Sequence, residues 1–101
     1  MKWRVVVTGL GLLSCLGNDP ESFFQSLIDG VSGITPHPDI PKYPVGWVAF
    51  NPEVHFSKTE LLSLDRVSQF ALITTRQAVA MASLNANDIE RAGILYGTGF
   101  G

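Results

Sequence analysis

The first apolar run, Trp3 to Thr8, holds three consecutive β-branched residues, Val5, Val6 and Val7. Uninterrupted apolar character with no polar alternation predicts a strand covered on both faces, as in a parallel sheet. Gly9-Leu10-Gly11 ends it. Asp19 followed by Pro20 then reads as an N-cap with proline at the first helical position, where a missing N–H costs nothing. Phe23, Phe24, Leu27 and Ile28 share one face of that helix, and Gly30 is placed to stop it. Between Gly33 and Pro44 the prolines Pro36, Pro38, Pro41 and Pro44 predict an irregular surface loop. Val45 to Phe50 reads as a short strand weakened by Gly46 and closed by Pro52, and a short helix begins at Ser57 to Glu60.

The strongest periodicity lies between Ser63 and Ser83. Leu64, Val67, Ala71, Thr74, Ala78 and Met81 recur every three or four residues, widened by Phe70 and Ala82, and predict one long helix. Its alanines favour the helical state and allow a neighbour to come close. A turn is expected at Asn85 to Asn87, then a second buried strand from Ala92 to Tyr96, running into Gly97-Thr98-Gly99-Phe100-Gly101. Strand, helix, irregular segment, long helix and strand is an α/β order. Two long strands make a poor sheet, and the last has no helix to cover it, so the C-terminal boundary is expected to be artificial rather than that of a complete domain.

Composition points the same way. With 46% apolar and 16% charged residues, the chain is hydrophobic for 101 residues, a length at which surface dominates. The isolated chain is therefore expected to be poorly soluble or oligomeric. A net charge of −2 without a Lys/Arg cluster argues against nucleic acid. The single cysteine excludes an internal disulfide, no Cys/His set has zinc spacing, and a reducing, cytoplasmic setting fits. Lys2 and Arg4 before the run Val5 to Leu16, with Leu12-Leu13-Ser14-Cys15, resemble a lipoprotein signal, but Thr8, Gly9 and Gly11 interrupt it and a strand with a tight turn reads better. No stretch approaches the roughly 20 apolar residues of a membrane span.

Few residues offer chemistry. Gly9-x-Gly11 after a strand has the beginning of a dinucleotide turn, yet Ser14 stands at the third glycine position and no acidic residue closes a second strand. Cys15, set among leucines, reads as a small buried hydrophobe more readily than as a nucleophile. His37 and His55 pair with no carboxylate at a telling spacing and read as solvated. Asp65-Arg66 opens the long helix, where a carboxylate ordinarily serves the helix dipole.

Arg4-Val5-Val6-Val7-Thr8-Gly9-Leu10-Gly11, followed by Ser14-x-x-Gly17-Asn18, resembles the start of the β-ketoacyl-acyl-carrier-protein synthases. The likeness continues through Leu27-x-x-Gly30-x-Ser32-Gly33-Ile34, Leu64-Asp65-Arg66 and Gly97-Thr98-Gly99-Phe100-Gly101, and is weakest from Pro36 to Leu62. It implies an α/β, thiolase-like fold of two pseudo-symmetric halves, of which residues 1–101 would be the first part of the N-terminal domain. The implied reaction loads an acyl group from a carrier protein onto a cysteine. Decarboxylation of malonyl carrier protein then yields the carbanion that attacks the thioester, with two histidines completing the site. The resemblance puts that cysteine and both histidines beyond Gly101, so no catalytic residue is expected in this chain, nor a cofactor or metal. It implies acyl carrier protein as partner and a homodimer, or a heterodimer with a synthase-like subunit. The resemblance places Phe100 at the variable position of a turn that, in the family, borders the acyl tunnel. The paired basic residues with which relatives meet acidic carrier proteins are replaced by Leu62-Ser63, leaving Lys58 as a weak docking contact.

Overall fold

The computed structural model describes residues 2–99. In chain order the elements are helix α1 (Pro20–Ile28), strands β1 (Ile34–Pro36) and β2 (Pro44–Gly46), a single 3₁₀ turn (Pro52–Val54), and helices α2 (Lys58–Leu61), α3 (Arg66–Ala82) and α4 (Ala86–Glu90).

The helix starts follow local chemistry. The Asp19 carboxylate accepts from Ser22 N–H at 2.8 Å and Pro20 opens α1; Gly30 at φ +67° takes the left-handed conformation that ends it. Ser57 and Glu60 form a reciprocal capping box on α2. Asp65 caps α3, so the long helix begins at Arg66, three residues later than the apolar stripe suggests. The expected turn at 85–87 is instead the first turn of α4, capped by a second reciprocal box between Asn85 and Asp88. The Asn-x-x-Asp spacing was the signal for it.

The proline-rich loop holds a correction. Ile34–Pro36 and Pro44–Gly46 pair as an antiparallel hairpin, with Pro36 opposite Pro44 at the end of the ladder. There the missing N–H groups break no interior rung. His37 N–H donates to the Tyr43 carbonyl at 2.8 Å and closes the loop beyond them. The strand expected over Val45 to Phe50 is correspondingly cut to its first residues.

Helix α3 is the axis of packing, and two of its sides are used. Thr74, Gln77, Ala78, Met81 and Ala82 face residues 9–12, while Arg66, Phe70 and Arg76 face the segment 47–56. Ile73, three residues from both Phe70 and Arg76, is one of only two buried apolar side chains among the described residues; the other is Phe56, each 5% exposed. On the first side the backbone passes directly over the helix. A Cβ at Gly9 would overlap the Ala78 carbonyl and one at Gly11 the Thr74 carbonyl, one helical turn apart. A methyl there would have to displace helix backbone, an overpacking that costs about 1–3 kcal/mol.

The two expected buried strands are not strands. Residues 3–8 and 92–96 carry no ladder hydrogen bonds and are exposed, Val5 to 94% and Leu95 to 102%. Strand-forming residues become a strand only when a neighbour accepts their N–H groups, and none of the described residues does so. The only sheet among the described residues is the short hairpin, so the parallel layer of an α/β fold is not formed. The molecule exposes 8304 Å², whereas a folded monomer of this size exposes about 5,600 Å². Its radius of gyration is 16.3 Å, against about 12.7 Å for a compact chain of this length. Much of the excess is apolar, including Trp3, Val5, Val7, Ile94 and Leu95. The isolated chain is accordingly expected to self-associate. Sedimentation velocity over a concentration series should show species above 11 kDa, and a single monomeric species with a cooperative melt would contradict this.

Candidate functional site

The segment 9–18 is the best-organised irregular region. Beyond the glycine crossing, the Gln77 amide ties down both of its ends: Oε1 accepts from Leu12 N–H at 2.9 Å, and Nε2 donates to the Asn18 carbonyl at 2.6 Å. Asn18 Nδ2 in turn donates to the Ala49 carbonyl at 2.6 Å. Ser14 Oγ donates to the Gly17 carbonyl and accepts Leu16 N–H, closing a tight turn around Cys15. Gln77 was missed from the sequence; an amide beside the small residues Ala78, Ala80 and Ala82 of α3 was the available signal.

Gly9-x-Gly11 is thus a packing device. Its glycines face the carbonyls of α3, whereas a pyrophosphate turn directs N–H groups at the ligand. The Cys15 sulfur lies in the space left by two other glycines: a Cβ at Gly33 would be 2.5 Å from Sγ, and one at Gly46 would be 3.1 Å away. The partly buried thiol is a small packing group.

The histidines do not converge on it. His37 is half-buried rather than solvated. Its Nδ1 accepts from Asp39 and Ile40 N–H at 3.0 and 3.2 Å, and its ring meets Trp47 edge-on at 5.5 Å. His55 is exposed and stacks on Phe50 with centroids 5.4 Å apart. Among the described residues no three His, Cys, Asp or Glu side chains gather in a way that would hold a metal ion.

Asp65 serves α3 as a cap. Its carboxylate accepts from Ser68 N–H at 2.8 Å, and hydrogen bonds from the Ser68 side chain and backbone hold its pKa below the ordinary carboxylate value. Arg66 is a clamp. Its guanidinium lies 4.8 Å from the Phe70 ring centroid and 5.4 Å from that of Trp47, and Nη2 donates to the Val48 carbonyl at 3.3 Å. Arg76 repeats the arrangement ten residues on, 5.1 Å from the Phe56 ring and donating to the His55 carbonyl at 3.4 Å. Lys58 is the exposed first residue of α2. Phe100 lies outside the described residues.

An open apolar groove of about 570 Å³ runs between Leu10, Leu12, α1 and Met81, with Phe23 and Phe24 on one wall and Glu21 its only charged lining residue. It has no thiol, hydroxyl or imidazole side chain, and Glu21 is its only titratable group. No helix among the described residues is long and apolar enough to cross a membrane.

The family model described as "Beta-ketoacyl synthase, N-terminal domain" matches residues 2–101, and the chain belongs to that family. It is 38% identical over 106 residues to 3-oxoacyl-[acyl-carrier-protein] synthase 2 of Staphylococcus aureus strain N315, covering 97% of this chain and 26% of the relative. The chloroplastic 3-oxoacyl-[acyl-carrier-protein] synthase I of Arabidopsis thaliana is 32% identical over 111 residues, covering 99% of this chain and 24% of the relative. The chain spans about a quarter of the length of these curated relatives. Membership of the family implies the thiolase-like fold; the described residues by themselves are a small mixed arrangement of helices and one hairpin.

The Asp65 cap gives a pH signature. Because the folded carboxyl titrates below its unfolded counterpart, the stabilisation is fully present above the ordinary carboxylate range and is lost as pH falls through the folded value. In a peptide spanning residues 57–84, helicity at 222 nm should fall as pH drops below about 4. Asp65→Asn, which keeps the cap without the charge, should flatten that fall, and an unchanged profile would show that other groups cause it.

Proposed function

We propose that the protein takes part in carbon–carbon bond formation between an acyl thioester and malonyl-acyl carrier protein, in fatty-acid or polyketide synthesis. The family match over residues 2–101, joined to relatives named as 3-oxoacyl-[acyl-carrier-protein] synthases, carries this reading. In it, residues 1–101 open the N-terminal domain and act as scaffold, acyl carrier protein is the substrate-bearing partner, the assembly is a homodimer, and the setting is cytoplasmic.

The chain's own chemistry supports a scaffold role. Condensation needs a nucleophilic thiol with a base nearby; the only thiol here is packed against Gly33 and Gly46, while His37 is engaged by Asp39 and Ile40 N–H and His55 by the Phe50 ring. The isolated chain is therefore expected to show no condensation. Incubation with acyl carrier protein followed by peptide mass spectrometry should find no acyl group on Cys15, and an adduct there would overturn the assignment.

A second reading, a non-condensing partner that shapes the tunnel of an active subunit, is favoured by the replacement of the basic pair by Leu62 and Ser63, of which Leu62 is 89% exposed. Loss of the acyl-transfer signal in the protein expressed over its whole reading frame, with activity restored only by a second subunit, would select it.

Phe100 is proposed as a tunnel residue. Flanked by Gly99 and Gly101, it is the one bulky side chain of the glycine-rich turn, and close-packed interiors give little room to a phenyl ring. Acylation rates measured across carrier proteins of increasing acyl length should rise selectively for long chains in Phe100→Gly. An unchanged length profile in a folded enzyme would remove Phe100 from the tunnel.

A further inference from the structure

The loop that joins β1 to β2 runs from His37 to Tyr43, and it has few hydrogen-bond donors of its own. Pro38 and Pro41 have no N–H, so between the two ends only Asp39, Ile40 and Lys42 bring one. Two of these three end on the same atom: Asp39 N–H and Ile40 N–H both donate to His37 Nδ1, at 3.0 and 3.2 Å. The rest of the closure is main chain, His37 N–H to the Tyr43 carbonyl at 2.8 Å and Tyr43 N–H to the Ile40 carbonyl at 3.0 Å. One imidazole nitrogen ties the tip of the loop back to its start.

An imidazole accepts at Nδ1 only while it is neutral, with its proton on Nε2; the imidazolium carries an N–H at both nitrogens and accepts at neither. A proton on Nδ1 would aim a third N–H at the two main-chain donors already converging there. Both donors would lose their partner at once. Asp39 and Ile40 are exposed, so water can take over their N–H groups and the loop can open without stranding them.

The charges around the ring do not reverse this. The half-buried His37 ring meets Trp47 edge-on at 5.5 Å, and the same indole carries the Arg66 guanidinium of α3 at 5.4 Å, so a charged imidazole would share it with a permanent cation. Within the loop Asp39 and Lys42 have opposite signs, and Lys42 Nζ lies over the Tyr43 ring at 5.1 Å. Asp39 favours a charge on His37 while Lys42 and Arg66 oppose it, which leaves the two N–H donors to decide the balance.

We propose that His37 is a pH-sensitive latch on the hairpin: neutral, it holds the 37–43 loop closed with its ring on Trp47, and protonated it releases both. The latch is closed at the upper end of the range in which histidine changes charge, about pH 5 to 8, and opens as the pH falls through it. It is independent of the function proposed above.

The test is hydrogen exchange read by mass spectrometry on the protein expressed over its whole reading frame, between pH 8 and 5, with rates corrected for the intrinsic pH dependence of amide exchange. Peptides containing Asp39 and Ile40 should lose protection about tenfold as the pH falls, the equivalent of one or two modest hydrogen bonds, while peptides from α3 stay protected. His37→Asn puts a non-titrating oxygen the same number of bonds from Cα as Nδ1 and should keep the loop protected at both ends of the range. His37→Ala should leave it unprotected at both. Parent protection that does not change with pH overturns the latch, and so does a His37→Asn profile that falls as the parent's does. Should either variant fail to fold, the parent decides alone: loss over residues 37–43 with α3 unchanged supports the latch, and simultaneous loss in both is general acid unfolding and overturns it.

Discussion

The packing of residues 9–18 depends on the backbone of residues 9–12 lying directly on α3. Gly9 and Gly11 permit it, because any side chain at either position would occupy the space of the Ala78 or Thr74 carbonyl. Once the two backbones meet, Gln77 can reach both Leu12 and Asn18, Asn18 can reach Ala49, and the turn around Cys15 is brought against the hairpin at Gly33 and Gly46. The small residues of α3 complement the glycines. Close approach gains dispersion contacts over the whole crossing, and a single methyl forfeits many of them at once.

The opposite side of the same helix works by a different physics. There the contacts are rings and guanidinium groups, and the only buried apolar side chains among the described residues, Phe56 and Ile73, sit in this region. Arginine suits such a boundary because its planar head stacks on a ring while its edge remains available to solvent or a partner. One helix therefore joins a glycine-lined crossing to a polar, aromatic surface.

The exposed segments 3–8 and 92–96 show the limit of the chain's self-sufficiency. Their side chains have the β-branched, apolar character of sheet interior, but a strand's hydrogen bonds are satisfied only by another strand. The area left uncovered exceeds that of a compact monomer by about 2,700 Å², more than a standard protein interface buries. Such a surface demands cover from further polypeptide, in the same chain or another.

What the sequence determined by itself was local. Asp19-Pro20, Ser57-x-x-Glu60 and Asp65 mark helix starts because a cap is an interaction over three residues, complete within the segment that displays it. The family motifs were legible for a related reason, being contiguous strings. Asn85-x-x-Asp88 carried the same kind of signal and was passed over, which makes α4 a missed reading and not a hidden element. Only the tertiary structure decided what Gly9 and Gly11 are for, where the Cys15 thiol lies, which carbonyls Gln77 and the two arginines find, and that a loop with four prolines still pairs as a hairpin. Apart from the hairpin, each of these joins residues far apart in the chain. Their partners are chosen by the geometry of packing around α3, which no local pattern encodes.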